Sequence, residues 1–222
     1  FKSLKIERML PATGALREGL LYDTLGRISH EDVRERTIEW LCERYAVDRA
    51  QAARVEGTAT TLFERAQTAW ELHHPDLRMM LGWAARLHEL GLAIAHSQHH
   101  VHGAYLVGQS DLFGFSHQEQ QALAFIVRAQ RRSIPLELLN SLPERLAVPA
   151  ARIAVLLRLA ALLHRGRTPD PLPPLGLKAG ERSLRLALPE QWLDTHPLSR
   201  ADLDQERKYL ADLNLKLQLA GG

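Results

Sequence analysis

The sequence predicts a mainly α fold that ends in a small α+β appendage. Apolar residues recur at helical spacing through most of the chain. Strict alternation of apolar and polar residues begins only after the proline-rich stretch TPDPLPPLG, from Thr168 to Gly176. The composition, 45% hydrophobic and 24% charged, is typical of a globular chain. We therefore expect a helical domain over residues 27–168 and an appendage over residues 169–222.

The first helices are placed by caps and apolar stripes. Ser29 and Asp32 form a capping pair for one helix, and a longer helix runs from about Asp48 until Pro75 breaks it. Cys42 lies on an apolar stripe, which indicates a buried structural thiol. The expected apolar positions are Leu20, Leu21 and Leu25 in a first helix, then Ile38, Leu41, Cys42 and Tyr45, and then Val55, Ala59, Leu62, Phe63, Ala66 and Trp70.

A histidine-rich segment joins the two central helices. His88 follows Leu81, Ala84 and Ala85 at helical spacing, so it is expected to point inward before Gly91 interrupts the helix. Five of the eleven histidines fall within fifteen residues, and a second helix is expected to begin near His102. These histidines are His88, His96, His99, His100 and His102. Any chemistry is best sought at this junction.

The remaining elements follow from caps and periodicity. Ser116 and Glu119 form a capping box, and Pro149 is suited to the first position of a helix that continues to Leu163. In the appendage, strands are expected over residues 183–188 and 213–219. A short helix capped by Ser199 and Asp202 is expected between them.

Charge and apolar content narrow the classes of function. Between Arg128 and Arg167 the chain has eight arginines and only two glutamates, an excess of six positive charges. Guanidinium groups bind phosphate oxygens in a bidentate fashion, so this stretch predicts a polyanion partner, with a solvated basic face as the alternative. No unbroken apolar run of eighteen residues occurs, and a single cysteine fits a reducing compartment. We expect a soluble cytoplasmic protein.

The segment LHELG contains a possible metal pair, His88 and Glu89, which resembles the histidine-aspartate pair of the HD phosphohydrolases. The other ligand positions of that family correspond here to Gln51 and Ala161. An alanine cannot bind a metal and an amide is a poor ligand for transition metals, so we expect a degenerate HD-like helical bundle without a metal. A metal site built from the other clustered histidines is less favoured than packed or interfacial histidines.

Three segments carry a more specific resemblance: GALREGLLYDTLGR, the stretch from LHELG to AQRR, and LRLAALLHR. Together they resemble the carboxy-terminal part of exopolyphosphatases of the Ppx/GppA family, over about Met9 to Arg167. No nucleophile elbow, Walker sequence or GxGxxG occurs, so no catalytic residue is assigned in this chain.

The resemblance implies a longer enzyme. Members of the family join two actin-like domains, which carry the catalytic acid, to a helical domain like an HD domain that has lost its metal. Residues 1–26 would be the tail end of the actin-like half. The family removes terminal phosphate from inorganic polyphosphate, and some members remove it from pppGpp. It further implies a homodimer, magnesium as a cofactor of the parent enzyme but none in this fragment, and neither membrane nor specific nucleic acid as a partner.

Site residues follow from the same resemblance. The polyphosphate-binding residues would be Arg128, Arg131, Arg132, Arg158, Arg165 and His100. His96 and His102 would face the catalytic half. For Arg158, a structural pair with a nearby carboxylate is the equal alternative. For the chain as a whole, the alternatives are an autonomous metal-dependent HD-type phosphohydrolase and a purely structural dimerisation module.

Overall fold

The structure is a computed structural model, and it describes residues 32–221. This part of the chain folds into nine α-helices and one three-stranded sheet, which confirms the mainly α fold with a small α+β appendage. The helix expected around Leu20 lies outside the described residues. In chain order the elements are α1 (Val33–Arg44), α2 (Arg49–Ala66), α3 (Pro75–Leu87), a 3₁₀ helix (Leu90–Ala93), α4 (His99–Gln109), α5 (His117–Ala129), α6 (Leu136–Ser141), α7 (Glu144–Leu163), β1 (Gly176–Ala179), β2 (Ser183–Leu188), α8 (Glu190–Thr195), α9 (Pro197–Ala211) and β3 (Lys216–Gly221).

Helix α7 forms the centre of the helical bundle. Every residue from Ile153 to Ala160 is buried, because α2, α3 and α5 pack around it. Helix α7 is also long and apolar enough to cross a membrane. However, 67% of its apolar segment is buried inside the fold. A helix that is apolar on all sides is expected at the middle of a large core, so burial accounts for this composition.

Two helices begin where the sequence predicts, and one of them has the expected capping box. The Asp48 carboxylate accepts a hydrogen bond from the Gln51 backbone N–H at 3.0 Å and so begins α2. Ser116 and Glu119 form a complete capping box at α5. At α1 the Asp32 side chain is the cap and accepts from the Arg34 backbone N–H, and Ser29 of the expected pair lies outside the described residues. Each cap stabilises its helix by about 1 kcal/mol because it satisfies N–H groups that have no partner within the helix.

Two expected helix starts were wrong. Pro149 is an interior residue of α7, because the Pro143 carbonyl accepts the first backbone hydrogen bonds of the helix, from Leu146 at 2.8 Å and Ala147 at 3.0 Å. The helix therefore starts five residues before the proline. Ser199 likewise lies inside α9, which begins at Pro197. A proline at a first helical position loses no hydrogen bond, since that N–H has no helical partner.

Further bounds of helices differ from the expectation. Helix α2 ends at Ala66, well before Pro75, which is the first residue of α3. Helix α4 begins at His99, three residues before His102.

Cys42 is buried as expected, and burial raises the pKa of its thiol to about 11. The thiol is thus protonated at neutral pH, in agreement with a structural role.

The appendage is a three-stranded sheet covered by α9. Strand β1, which was not expected, pairs antiparallel to β2, and β3 pairs parallel to β2. Strand β2 has the predicted bounds, whereas β3 begins three residues after the expected Leu213. Leu184, Leu186 and Leu188 join the same continuous core as the helical bundle. The boundary between residues 168 and 169 stays a prediction.

Candidate functional site

A polar cleft of about 440 Å³ opens where the helical bundle meets α9 of the appendage. Its wall combines the starts and ends of elements that lie far apart in the sequence. The polar and charged residues on the wall are Gln51, His88, Glu89, His96, His99, Gln130, Arg131, Arg132, Arg158, Arg165, Arg167, Asp202, Gln205, Glu206 and Tyr209, and Ala161 and two leucines complete it.

All four positions that correspond to HD ligands lie on this wall, so the fold brings together Gln51, His88, Glu89 and Ala161. The Gln51 side chain is already engaged. Its amide nitrogen donates to the His164 carbonyl at 2.9 Å, and its amide oxygen accepts from Arg54 at 2.7 Å. Ala161 has no ligand atom. Two of the four positions therefore cannot contribute to a metal centre.

His88 has a defined tautomer. Its Nδ1 donates to the Ala85 carbonyl at 2.6 Å, because a carbonyl can only accept. The ring is buried, and this burial lowers the pKa of His88, so the imidazole is neutral at pH 7. Nε2 is then an acceptor and lies 3.9 Å from the nearer Glu89 carboxylate oxygen.

Glu89 pairs with an arginine. A guanidinium nitrogen of Arg167 lies 2.5 Å from one Glu89 carboxylate oxygen, and a second lies 2.9 Å from a carboxylate oxygen of Asp48. Among residues 32–221, no three histidine, cysteine, aspartate or glutamate side chains are close enough to share a metal ion. The side chains present at the HD positions therefore do not fit the metal that an HD domain would hold.

Three arginines crowd one end of the cleft. Arg131 and Arg132 follow the end of α5, and Arg165 follows the end of α7. Burial, and after it the charges of Arg165 and Arg132, lower the pKa of Arg131, because both like charges are close to its guanidinium. Arg165 pairs with Asp202 of α9. Within the described part of the chain, no carboxylate lies within 4.0 Å of the Arg131 or Arg132 guanidinium.

Arg158 has the geometry of the structural alternative. It is 2% exposed, and its guanidinium donates to Glu206 of α9 and to two backbone carbonyls, those of Ala129 and Arg132. Four of its five N–H donors are thereby used inside the protein. This buried pair ties α7 to α9, and it leaves Arg158 one N–H at most for a ligand in the cleft.

The histidine segment divides between the cleft and the core. His96 is exposed on the cleft wall, and His99 is a buried part of the same wall. His100 is buried off the wall, and burial, followed by the positive charge of Arg128, lowers the pKa of His100 to about 4. Arg128 is half-buried and also lies off the wall, and His102 is half-buried on α4. Neither His100 nor Arg128 is therefore placed to contact a ligand in the cleft.

A close approach of two glycines positions this segment. A Cβ atom at Gly91 would overlap the His99 carbonyl and the Gly103 backbone nitrogen, so no other residue fits there without displacing α4. The short 3₁₀ helix can therefore turn back directly onto the start of α4. This turn brings His96 and His99 to the cleft.

Sequence reasoning missed the contribution of α9 to the site. Asp202, Gln205 and Tyr209 reach the cleft only because the appendage folds back against α7. In the sequence, Arg167 is distinguished only as one of the eight arginines between residues 128 and 167. Its position directly after the last turn of α7 is the one local signal that could have linked it to Arg165.

The comparisons with known proteins agree with this architecture. Residues 33–207 match the family model described as Ppx/GppA phosphatase, domain III. Two relatives are named guanosine-5′-triphosphate,3′-diphosphate pyrophosphatase. The one from Photobacterium profundum is 39% identical to this chain over 222 residues, and the one from Vibrio cholerae is 38% identical over 222 residues. Each alignment covers 99% of this chain and 44% of the relative.

A third relative of the same name, from Aeromonas hydrophila, is 39% identical over 203 residues, which cover 91% of this chain and 41% of that protein. The chain therefore spans less than half the length of these relatives. Because the family model covers most of the chain, from the start of α1 into α9, the chain belongs to the Ppx/GppA phosphatase family, and residues 33–207 correspond to its domain III.

Proposed function

We propose that this domain binds the phosphate groups of a long polyanion at the cleft and so contributes to hydrolysis of a terminal phosphate by a longer protein. The observation that carries the proposal is the adjacent pair Arg131 and Arg132. Within the described residues neither has a carboxylate partner, whereas the other three arginines of the wall, Arg158, Arg165 and Arg167, each have at least one.

Like charges held together favour an anion between them. Burial and, after it, repulsion from Arg165 and Arg132 lower the pKa of Arg131, and a phosphate group that enters would relieve the repulsion. A guanidinium donates two parallel hydrogen bonds to phosphate oxygens, which suits repeated phosphate groups along a chain. The proposed contacts are therefore Arg131, Arg132 and Arg165.

The substrate is proposed from the relatives. Their name refers to guanosine 5′-triphosphate 3′-diphosphate, the nucleotide pppGpp, so we propose that the parent protein removes the terminal phosphate of pppGpp, of inorganic polyphosphate, or of both. Magnesium as the cofactor of the parent enzyme, a cytoplasmic location and a homodimer stay predictions. So does the contact of His96 and His102 with the catalytic half.

The metal-dependent alternative gains no support from the site. Gln51 is engaged by His164 and Arg54, and Ala161 supplies no ligand atom, so the site lacks the donor set of an HD phosphohydrolase. We therefore derive no reaction step within this chain.

The test is a titration of the protein with long-chain polyphosphate, and separately with pppGpp, at about 50 mM and about 200 mM salt, with phosphate release followed in the same samples. Counterion release predicts that the logarithm of the association constant falls linearly with the logarithm of salt concentration, with a slope on the order of −2 for three phosphate contacts. Affinity that does not change with salt would contradict the proposal. Phosphate release that is proportional to protein concentration, and that persists after further purification, would show that this chain is itself catalytic and would contradict the proposal.

A further inference from the structure

Strand β3 lies at one edge of the sheet, with β2 on one side and, among the described residues, no strand on the other. A groove of about 810 Å³ runs along it. Every residue from Leu215 to Ala220 lines this groove, although successive side chains of a strand point to opposite faces of a sheet. The groove therefore follows the open edge of β3 rather than one face of the sheet.

The backbone groups of two leucines face this open edge. The Lys216 N–H donates to the Arg182 carbonyl at 3.0 Å, so the polar backbone groups of Lys216 point toward β2. Because this direction alternates along a strand, the N–H and C=O groups of Leu217 and Leu219 point away from β2. Within residues 32–221 they have no other hydrogen-bond partner. An unpaired edge of this kind can pair with a strand from another chain.

The groove is also basic. Arg185, Arg207 and Lys216 line it, and no aspartate or glutamate of the described chain does. Arg185 contacts the Gln218 side chain at 3.4 Å, and Arg207 pairs with Asp204 at 3.0 Å. A second copy of this chain would bring the same positive charges to its own edge. Charge therefore favours an acidic partner over self-association.

We propose that β3 binds an extended acidic segment of a partner protein, which adds to the sheet as a fourth strand. Backbone hydrogen bonds to Leu217 and Leu219 would hold the segment, and side chains at alternate positions would give specificity. Those on the outer face would lie beside the exposed Lys216 and Arg185, and those on the inner face beside Leu219 and Ala211. The partner sequence should therefore alternate acidic and apolar residues. This inference does not depend on the proposed binding of polyanions at the cleft.

Basic side chains at an edge strand have a second explanation, because they also oppose aggregation between edges. The two explanations differ in what they require of the backbone. Protection needs only the charges of Lys216 and its neighbours. Addition of a strand also needs the outward N–H and C=O groups of Leu217 and Leu219, so a variant that removes one of these groups and keeps every charge separates the two.

The experiment uses a fluorescently labelled peptide of about eight alternating valine and glutamate residues, followed by fluorescence anisotropy. The peptide should bind the unchanged protein, and a matched peptide of alternating valine and lysine should bind at least about tenfold more weakly. Lys216→Glu with Arg185→Glu should reverse this preference. Absence of binding by the valine–glutamate peptide at up to about 1 mM would show that the basic edge has only a protective role.

The decisive variant is Leu219→Pro, which removes an outward N–H but no hydrogen bond to β2, as an edge strand tolerates. Peptide binding should weaken at least about tenfold. Leu219→Ala is the matched control, because it also loses the leucine side chain but keeps the N–H, and its affinity should stay at least about threefold higher than that of Leu219→Pro. Equal affinities in the two variants would mean that charge alone attracts the peptide, and the inference would be wrong.

Amide hydrogen exchange in the unchanged protein gives a second readout that does not depend on how the variants fold. The peptide should slow exchange at the amides of Leu217 and Leu219, because their N–H groups become bonded. Unchanged exchange at both amides under saturating peptide would overturn the inference. Slowed exchange that appears without peptide as the protein concentration rises would assign the edge to a second copy of this chain, and would overturn it as well.

Discussion

The cleft contains the same side chain in two opposite settings. Arg158 lies in the core with a carboxylate and two carbonyls around its guanidinium, whereas Arg131 and Arg132 lie at the rim with no carboxylate close to them in the described structure. All three arginines come from the same arginine-rich stretch of the sequence, between Arg128 and Arg167. The comparison shows that ionic pairing, rather than the number of charges, separates an arginine that stabilises the fold from one that can bind a ligand.

The largest effect is expected at the buried pair. Arg158→Ala should lower the free energy of unfolding by about 3–5 kcal/mol, because Glu206 would remain as a buried charge without a partner. Urea denaturation followed by circular dichroism measures this. Arg158→Met combined with Glu206→Leu should recover most of the loss, because no charge is then left buried. A loss below about 1 kcal/mol for Arg158→Ala would show that Arg158 is not structural.

The rim arginines should behave in the opposite way. Arg131→Ala with Arg132→Ala should weaken binding of long-chain polyphosphate tenfold to hundredfold, since each charge-assisted contact contributes on the order of 1 kcal/mol or more. Stability should change by no more than about 0.5 kcal/mol. Isothermal titration and urea denaturation test both statements. Arg65→Ala is the matched control, and an equal loss of affinity there would mean that only net charge matters.

A pH dependence sharpens the comparison for histidine. The pKa of buried His100 is lowered to about 4 from 6.5, so the unfolded chain takes up the proton first as the pH falls. The stabilisation is present above pH 6.5 and is lost as the pH falls toward 4, by on the order of 1–2 kcal/mol. His100→Gln should reduce this slope in urea denaturation at pH 7, 6 and 5. An unchanged slope in His100→Gln would show that His100 is not a source of this pH dependence.

The smallest effect is expected at Asp202. Asp202→Asn removes the carboxylate that pairs with Arg165 and should raise polyphosphate affinity a few fold, because Arg165 no longer has to exchange one anion for another. The salt dependence should become steeper by less than about one unit of slope. Asp204→Asn, which removes the same charge from an exposed position of α9 that is not on the cleft wall, is the control. Weaker binding of polyphosphate by Asp202→Asn would show that Arg165 is not one of the residues that contact the ligand.

Local sequence signals predicted much of this fold. The helix start near Asp48, the capping box of Ser116 and Glu119 and the alternation over residues 183–188 are each found where expected. These features depend on hydrogen bonds and side-chain spacing within a few residues, so no distant contact is needed to predict them. The starts assigned at Pro149 and Ser199 were wrong because α7 and α9 already begin at Glu144, directly after Pro143, and at Pro197.

The candidate site was predicted only in part. The sequence alone determined that the chain is helical, that it carries a degenerate HD-like set of residues and that a basic stretch surrounds the last core helix. The tertiary structure alone decided which charges meet: it buried Arg158 against Glu206, paired Arg165 with Asp202 and placed Arg167 between Asp48 and Glu89. Ion pairs join residues up to 119 positions apart here, because pairing depends on distance in space and no local pattern records it.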